Sequence, residues 1–277
     1  MRGGRKPLAS RNGGSPTARS TLLTRRLHTA TAVGEASVEA ERAGGPTNAI
    51  RMLGLIGGCG AESTAFYYTR INRLVRARWP GRGARLLLWS FDVEDIDRCC
   101  RAGDWPAALA KFECAGRWLE AGGADALLIC TNTMHCIADE LVRSLSGPLI
   151  NIVDETARAL QTRGHGRPAL LGTRYTMREP FYRERLSLHG IEARLPDPTE
   201  QELIHELIYA ELMQGRATKS GKARLTAIVE RLVDAGADSV ILGCTELGMA
   251  LGDGDVSVAV YDTAEIHCQA AVRFALS

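Results

Sequence analysis

Several things this chain of 277 residues lacks narrow its function before any motif is considered. Aromatic residues make up only 5% of it, so a core has to rest on Leu, Ile, Val and Ala. No apolar run approaches the roughly 18 residues of a membrane helix, and no membrane contact is expected. The eight cysteines include no C-x-x-C pair, and the chain is too long for a small disulfide scaffold. Thiols kept reduced inside a cell fit better. His135-Cys136 and His267-Cys268 supply ligand types without a ligand spacing, so no metal is expected. The loop "GLIGGCG" lacks the full G-x-G-x-x-G and its acidic partner, which argues against dinucleotide binding. Acidic residues are missing before Glu35, whereas that stretch holds seven Arg and Lys. The net charge of +2 therefore leaves −5 for residues 35–277, and no basic face for nucleic acid is expected.

What is present is an ordinary globular composition, 45% hydrophobic and 24% charged. Residues 1–51 are rich in Arg, Ser, Thr and Gly without an apolar period. They read as a disordered tail or an organellar transit peptide, and Met52 is an alternative start. A start at Met52 implies a cytoplasmic protein; a transit peptide implies a plastid or mitochondrion.

After Met52, short apolar runs alternate with helical patterns, which argues an α/β fold with parallel strands. Strands are expected at 52–57, 84–89, 124–130, 148–152, 168–172, 191–195, 237–243 and 256–261. Helices are expected at 62–78, 104–121, 134–146, 154–162, 178–189, 199–214, 219–235 and 263–275. The body is also written twice. "RWLEAGGADALLICTNT" (117–133) matches "RLVDAGADSVILGCTEL" (231–247) at a shift of 113, which sets Thr131 on Cys244. The expected layout is a first half over 52–152, a second over 153–262, and a C-terminal helix at 263–277 returning to the first half. Two such halves related by a pseudo-twofold would set Thr131 and Cys244 on opposite sides of a cleft at the strand ends, where α/β sheets bind ligands.

Two groups facing one carbon can remove a proton from one side and return it to the other. A thiol suits that work, since it titrates near 8.5 and backbone N–H groups at a helix start lower it. Asn132, Thr133 and Thr245 are small polar groups at such starts, able to hold a carboxylate.

Five ordered stretches carry a resemblance: "LGLIGGCGAESTAFYYTRIN" (53–72), "CTNTMH" (130–135), "LLGTRYTM" (170–177), "LGCTELG" (242–248) and "VYDTAEIHCQAAV" (260–272). From Met52 onward the chain resembles the aspartate/glutamate racemase family. The resemblance implies two Rossmann-like domains with the active site between them, no cofactor, a pair of thiol acid/bases, acidic amino-acid substrates and a homodimer. By position it makes Cys244 a catalytic thiol facing the L-enantiomer and puts Thr131 in the place of the other. Asn132, Thr133 and Thr245 fall at carboxylate-binding positions, Thr173 and Thr176 in a second lining loop, and Cys59 beside the substrate. His135 and Glu246 are candidate supports.

Thr131 departs from the family pattern, because a hydroxyl is a far weaker acid than a thiol. Cys130 next to it belongs on the opposite face of its strand and reads as a core thiol. Cys59-Gly60-Ala61 replaces bulkier residues and should loosen one wall. The expected function is racemisation of glutamate or aspartate. A single-thiol decarboxylase or isomerase, or a catalytically weak amino-acid-binding protein, is the alternative. No residue to hold a substrate side-chain carboxylate can be named; Arg174, Arg178, Lys219 and Lys222 are candidates.

Overall fold

The computed structural model describes Met1 and residues 49–277, so most of the 1–51 segment lies outside the described residues. Ile50 is already buried against the first sheet, and the Arg51 N–H donates to the Ala275 carbonyl at 2.9 Å.

The strands are β1 (Met52–Gly57), β2 (Arg85–Ser90), β3 (Ala126–Ile129), β4 (Pro168–Gly172), β5 (Ser239–Gly243) and β6 (Ala259–Asp262). They form two parallel three-stranded sheets, ordered β2-β1-β3 and β4-β5-β6. The central strands are apolar throughout because helices cover both faces of each sheet.

Two expected strands shrink to single bridges. Leu149 pairs with Leu127, and Arg194 pairs with Ala169. Pro148 has no N–H to extend the first, and Asn151 ends it by capping the next helix through the N–H groups of Val153 and Asp154. Pro196 limits the second. With the bridges counted, both sheets have the same four-position order, β2-β1-β3-Leu149 and Arg194-β4-β5-β6. The repeat extends to single residues. Gly123 and Gly236 both sit at φ +95°, where glycine is favoured. Asp125 and Asp238, one repeat apart, both accept from backbone N–H groups at the start of the neighbouring strand, on Met52 and on Gly166 and Arg167.

The helices are α1 (Ala61–Arg78), α2 (Val93–Ala102), α3 (Trp105–Ala121), α4 (Ala138–Arg143), α5 (Ile152–Thr162), α6 (Arg174–Arg178), α7 (Pro180–Leu188), α8 (Pro198–Ala210), α9 (Lys219–Asp234) and α10 (Thr263–Ala275). Helix α2 was not foreseen. Asp92 caps its start, Gly103 closes it at φ 65°, and Ile96, Cys99 and Cys100 form its buried stripe.

The helix after the last strand position of each half crosses to the other half. Ile152, Val153, Ala157 and Leu160 of α5 pack with Leu170, Ile241 and Tyr261 of the second sheet. Ala264, Cys268, Ala271 and Val272 of α10 pack with Leu53, Leu55 and Leu128 of the first. The Arg273–Glu155 ion pair, 2.6 Å, joins the two helices. Asp262 caps α10 through the Glu265 N–H. Asp154, in the first turn of α5, pairs with Arg185 and His189. Among the described residues no helix is long and apolar enough to cross a membrane.

Candidate active site

Strands β3 and β5 each run out into a short 3-10 turn, Thr133–Ile137 and Thr245–Met249. A cavity of about 230 Å³ lies where the two ends meet. Cys59, Thr131 and Thr133 line it from the first half; Thr173, Cys244, Thr245 and Glu246 line it from the second. Seven of the ten residues singled out from sequence therefore share one chamber. Asn132, Thr176 and His135 stand behind its wall.

In the second-half wall, Cys244 Sγ lies 3.0 Å from Glu246 Oε2, and the same oxygen accepts from the Thr245 hydroxyl at 2.6 Å. Both Cys244 and Glu246 are buried. The thiol is not activated in the way expected from sequence. Burial and the Glu246 carboxylate push it well above its ordinary value, and the Glu246 backbone N–H, which acts the other way, is outweighed. Glu246 also lies against the first loop. A Cβ on Gly60 would sit 3.2 Å from Glu246 Oε1. That loop is fastened by Thr64, which accepts from the Gly58 N–H and donates to the Gly60 carbonyl. Gly58 is at φ +86°, and a Cβ there would collide with the Phe91 backbone.

The first-half wall is built on hydroxyls. Thr133 Oγ1 and Thr173 Oγ1 are 2.9 Å apart across the two halves, with the fully buried Thr176 hydroxyl within 3.5 Å of both. Asn132 is committed elsewhere. Its amide donates to Thr263 Oγ1 at 3.0 Å and accepts from Tyr182 OH at 3.3 Å, and Thr263 in turn donates to the Leu242 carbonyl. His135 Nε2 accepts the Ile152 N–H at 3.1 Å, so the ring carries its proton on Nδ1 and donates it to the Thr131 carbonyl at 2.9 Å. Burial, followed by the neighbouring His267, pushes His135 down to about 3, which keeps it neutral. Cys130 is buried in the first sheet's core, away from the chamber. Among the described residues no three His, Cys, Asp or Glu side chains converge as a metal site.

Sequence reasoning missed the part of the lining that α2 and α8 supply. Val93, Glu94, Ile96, Asp97 and Cys100 line the cavity from α2, and Ile208 and Tyr209 from α8. Cys100 is a lining thiol pushed up to about 12 by burial and by Asp97. The signal for α2 was in the chain: a capping Asp92, a closing Gly103 and an apolar stripe between them. The basic residues considered for a substrate carboxylate are not in this lining. Arg174 and Arg178 both pair with Glu202, and Lys222 pairs with Asp255; Lys219 does not line the cavity either.

The family model described as Asp/Glu/Hydantoin racemase matches residues 56–271, a span that contains this whole site. The chain belongs to that racemase family. Its fold superposes on a Yersinia pestis protein assigned provisionally as an Asp/Glu racemase, with a TM-score of 0.78 and 39% identity over 82% of this chain and 100% of that one. An aspartate racemase homologue from Pyrococcus horikoshii follows at a TM-score of 0.74 and 31% identity, again over 82% and 100%. In sequence, the chain is 27% identical to the broad specificity amino-acid racemase RacX of Bacillus subtilis over 145 residues, 52% of this chain and 62% of that protein.

Proposed function

We propose that this racemase-family chain exchanges and inverts the α-proton of an amino acid without a cofactor, using Cys244 with Glu246 on one face and Thr131 on the other. The observation that carries the reading is the 3.0 Å contact between the Cys244 thiol and the Glu246 carboxylate in a chamber that Thr131 also lines.

The resting thiol donates its proton toward Glu246. An entering amino acid brings its own α-ammonium into a lining without Arg, Lys or His, and a cation beside a thiol favours the thiolate. Glu246 then takes the Sγ proton, and the Cys244 thiolate takes the proton from Cα, leaving a carbanion delocalised into the α-carboxylate. The hydroxyls of Thr133, Thr173 and Thr245 are neutral donors for that carboxylate as charge moves onto it. Reprotonation from the Cys244 side returns the starting enantiomer, and it exchanges the α-proton where the Sγ proton has first been swapped through Glu246 with solvent. Reprotonation from the Thr131 side, by the hydroxyl or a solvent molecule it holds, gives the mirror image; that oxygen takes a proton back from solvent as Glu246 releases the one it accepted. His135 fixes the Thr131 backbone from behind, and Asn132 ties the same turn to the second half; both are positioning residues.

A hydroxyl is the poorer proton donor, so α-proton exchange outpaces inversion when the L-enantiomer is the substrate. The test is to incubate L-amino acids with the protein in heavy water, following α-proton loss by NMR and chirality by chromatography, with Cys244→Ser alongside. Exchange that disappears in the variant supports the proposal. Exchange that persists in Cys244→Ser would remove Cys244 from the chemistry.

A further inference from the structure

In the part of the cavity lined by helices α2 and α8, the charge of the walls bears on which amino acid fits. Asp97 and Glu94 line it from α2, with Tyr209 and Ile208 facing them from α8. Asp97 Oδ1 accepts from Tyr209 OH at 3.2 Å, joining the two halves across the cavity. Asp97 Oδ2 and Glu94 Oε1 both pair with Arg101, which is itself outside the lining and whose side chain is 51% exposed. Glu94, Asp97 and Glu246 make three lining carboxylates, against no lining Arg, Lys or His among the described residues.

A substrate whose Cα sat beside Cys244 and Thr131 would share the cavity with these carboxylates, and on the proposed reading its side chain extends toward them. A second carboxylate sent there meets like charge. A cationic group meets Asp97, whose side chain is 20% exposed and whose two oxygens offer more acceptor sites than Tyr209 and Arg101 use. The solvent-exposed Arg101 pairs are of the weakly held surface kind, so they yield or share readily. Ile96, Ile208 and Met213 supply apolar surface for an aliphatic stem, and the Tyr175 and Tyr209 rings offer π faces to a cation.

We infer that this site selects an amino acid with a cationic side chain, of the lysine, ornithine and arginine class, and that Asp97 sets the choice. The inference rests on the racemase reading of the same cavity, and it replaces the acidic substrate that the sequence resemblance implied.

The experiment ranks kcat/KM for α-proton exchange in heavy water with L-lysine, L-ornithine, L-alanine, L-glutamate and L-aspartate, using the full chain, Asp97→Asn and Asp97→Arg. Lysine or ornithine should exceed glutamate by at least about tenfold, and Asp97→Asn should cut the lysine-to-glutamate ratio by about tenfold to a hundredfold, the worth of one charge-assisted hydrogen bond. Asp97→Arg should invert the ranking. Glutamate, aspartate or alanine preferred by the wild type overturns the inference while leaving the racemase reading intact. A lysine preference unchanged in a folded Asp97→Asn overturns the role of Asp97. Exchange on no member of the panel sinks the racemase reading, and the inference with it. If the Asp97 variants fail to fold, the wild-type ranking alone decides.

Discussion

Replacing Glu246 by Gln separates two roles that predict opposite results. The carboxylate oxygen is 3.0 Å from Cys244 Sγ. At that distance two like charges repel by about 1.4 kcal/mol at the dielectric constant of water and by about 5 kcal/mol at an effective constant of 20. If Glu246 acts only as a neighbouring charge, removing it favours the thiolate and exchange at pH 7 becomes at least about tenfold faster. If Glu246 is the group that accepts the thiol proton, its loss removes a general base, worth about a hundredfold to ten-thousandfold. The mechanism proposed above requires the second result. Gln keeps the size of Glu and can still accept from Thr245 through its amide oxygen, so packing changes little. The assay is the initial rate of α-proton loss by NMR across pH 6 to 10, with thiolate formation followed by ultraviolet absorbance. Exchange in Glu246→Gln should fall at least about a hundredfold at pH 7 and recover as the pH rises, with the thiol ionising at lower pH than in the wild type. A variant faster than wild type at pH 7 would refute the proton-acceptor role and leave Glu246 as a restraint on the thiol.

Two further outcomes follow from the same walls and their support. Thr131→Cys places a thiol opposite Cys244, so the ratio of inversion to exchange on the L-enantiomer should rise by about tenfold or more, read by chromatography against NMR; an unchanged ratio would mean that Thr131 is not the donor on that face. His135 and His267 are held neutral, the first pushed down to about 3 and the second to about 4, both chiefly by burial. Their folded values lie below the unfolded value of about 6.5, so the unfolded chain binds protons that the native chain does not. Their contribution to stability is complete above about pH 6.5 and declines as pH falls toward 4, by roughly 1 kcal/mol or more per pH unit. Urea melts across that window measure the slope, and His267→Asn should flatten it; an equal slope in the variant would place the acid sensitivity elsewhere.

The parts of the fold legible in sequence are those fixed by local pattern. The apolar runs of β1, β3, β4 and β5 have to be buried strands, and the 113-residue repeat carries through to matched glycines at φ +95° and matched aspartates at strand starts. What was not legible depends on contacts distant in sequence. Leu149 and Arg194 lie in runs with strand composition, but Pro148, Asn151 and Pro196 leave room for only one bridge each. The burial that raises the Cys244 thiol comes from packing distant in sequence, and Glu246 also lies against the first loop, where a Cβ on Gly60 would sit 3.2 Å from its Oε1. The prediction that a helix start would lower the thiol failed for that reason. It counted the backbone donor and could not count the carboxylate or the burial. Helix α2 is a different kind of miss, since its caps and stripe were readable and its polar composition obscured them.

A duplicated half accounts for how the proposed two-faced chemistry would arise and why it would be uneven. Two copies of one β-strand-and-turn unit, each passing its last helix to the other copy, set two equivalent strand ends against one chamber. Symmetry of the backbone is thereby maintained by packing: α5 and α10 cannot both stay buried if the halves separate. Symmetry of the chemistry has no such protection. One end has become a thiol with a carboxylate behind it, the other a hydroxyl whose backbone is held by a neutral histidine. Enantiomers have equal free energy in water, so this imbalance cannot shift the equilibrium or make kcat/KM for inversion differ between the two directions. It acts on partitioning. On the proposed mechanism, a carbanion formed from the L-enantiomer by Cys244 is next to that thiol; once the abstracted proton has been swapped through Glu246 with solvent, it returns to L, now exchanged, more often than it crosses to D. One formed from the D-enantiomer has the better donor on the far side and is carried across. The ratio of exchange to inversion should therefore be high from L and near one from D, an asymmetry that two thiols in these places would not produce.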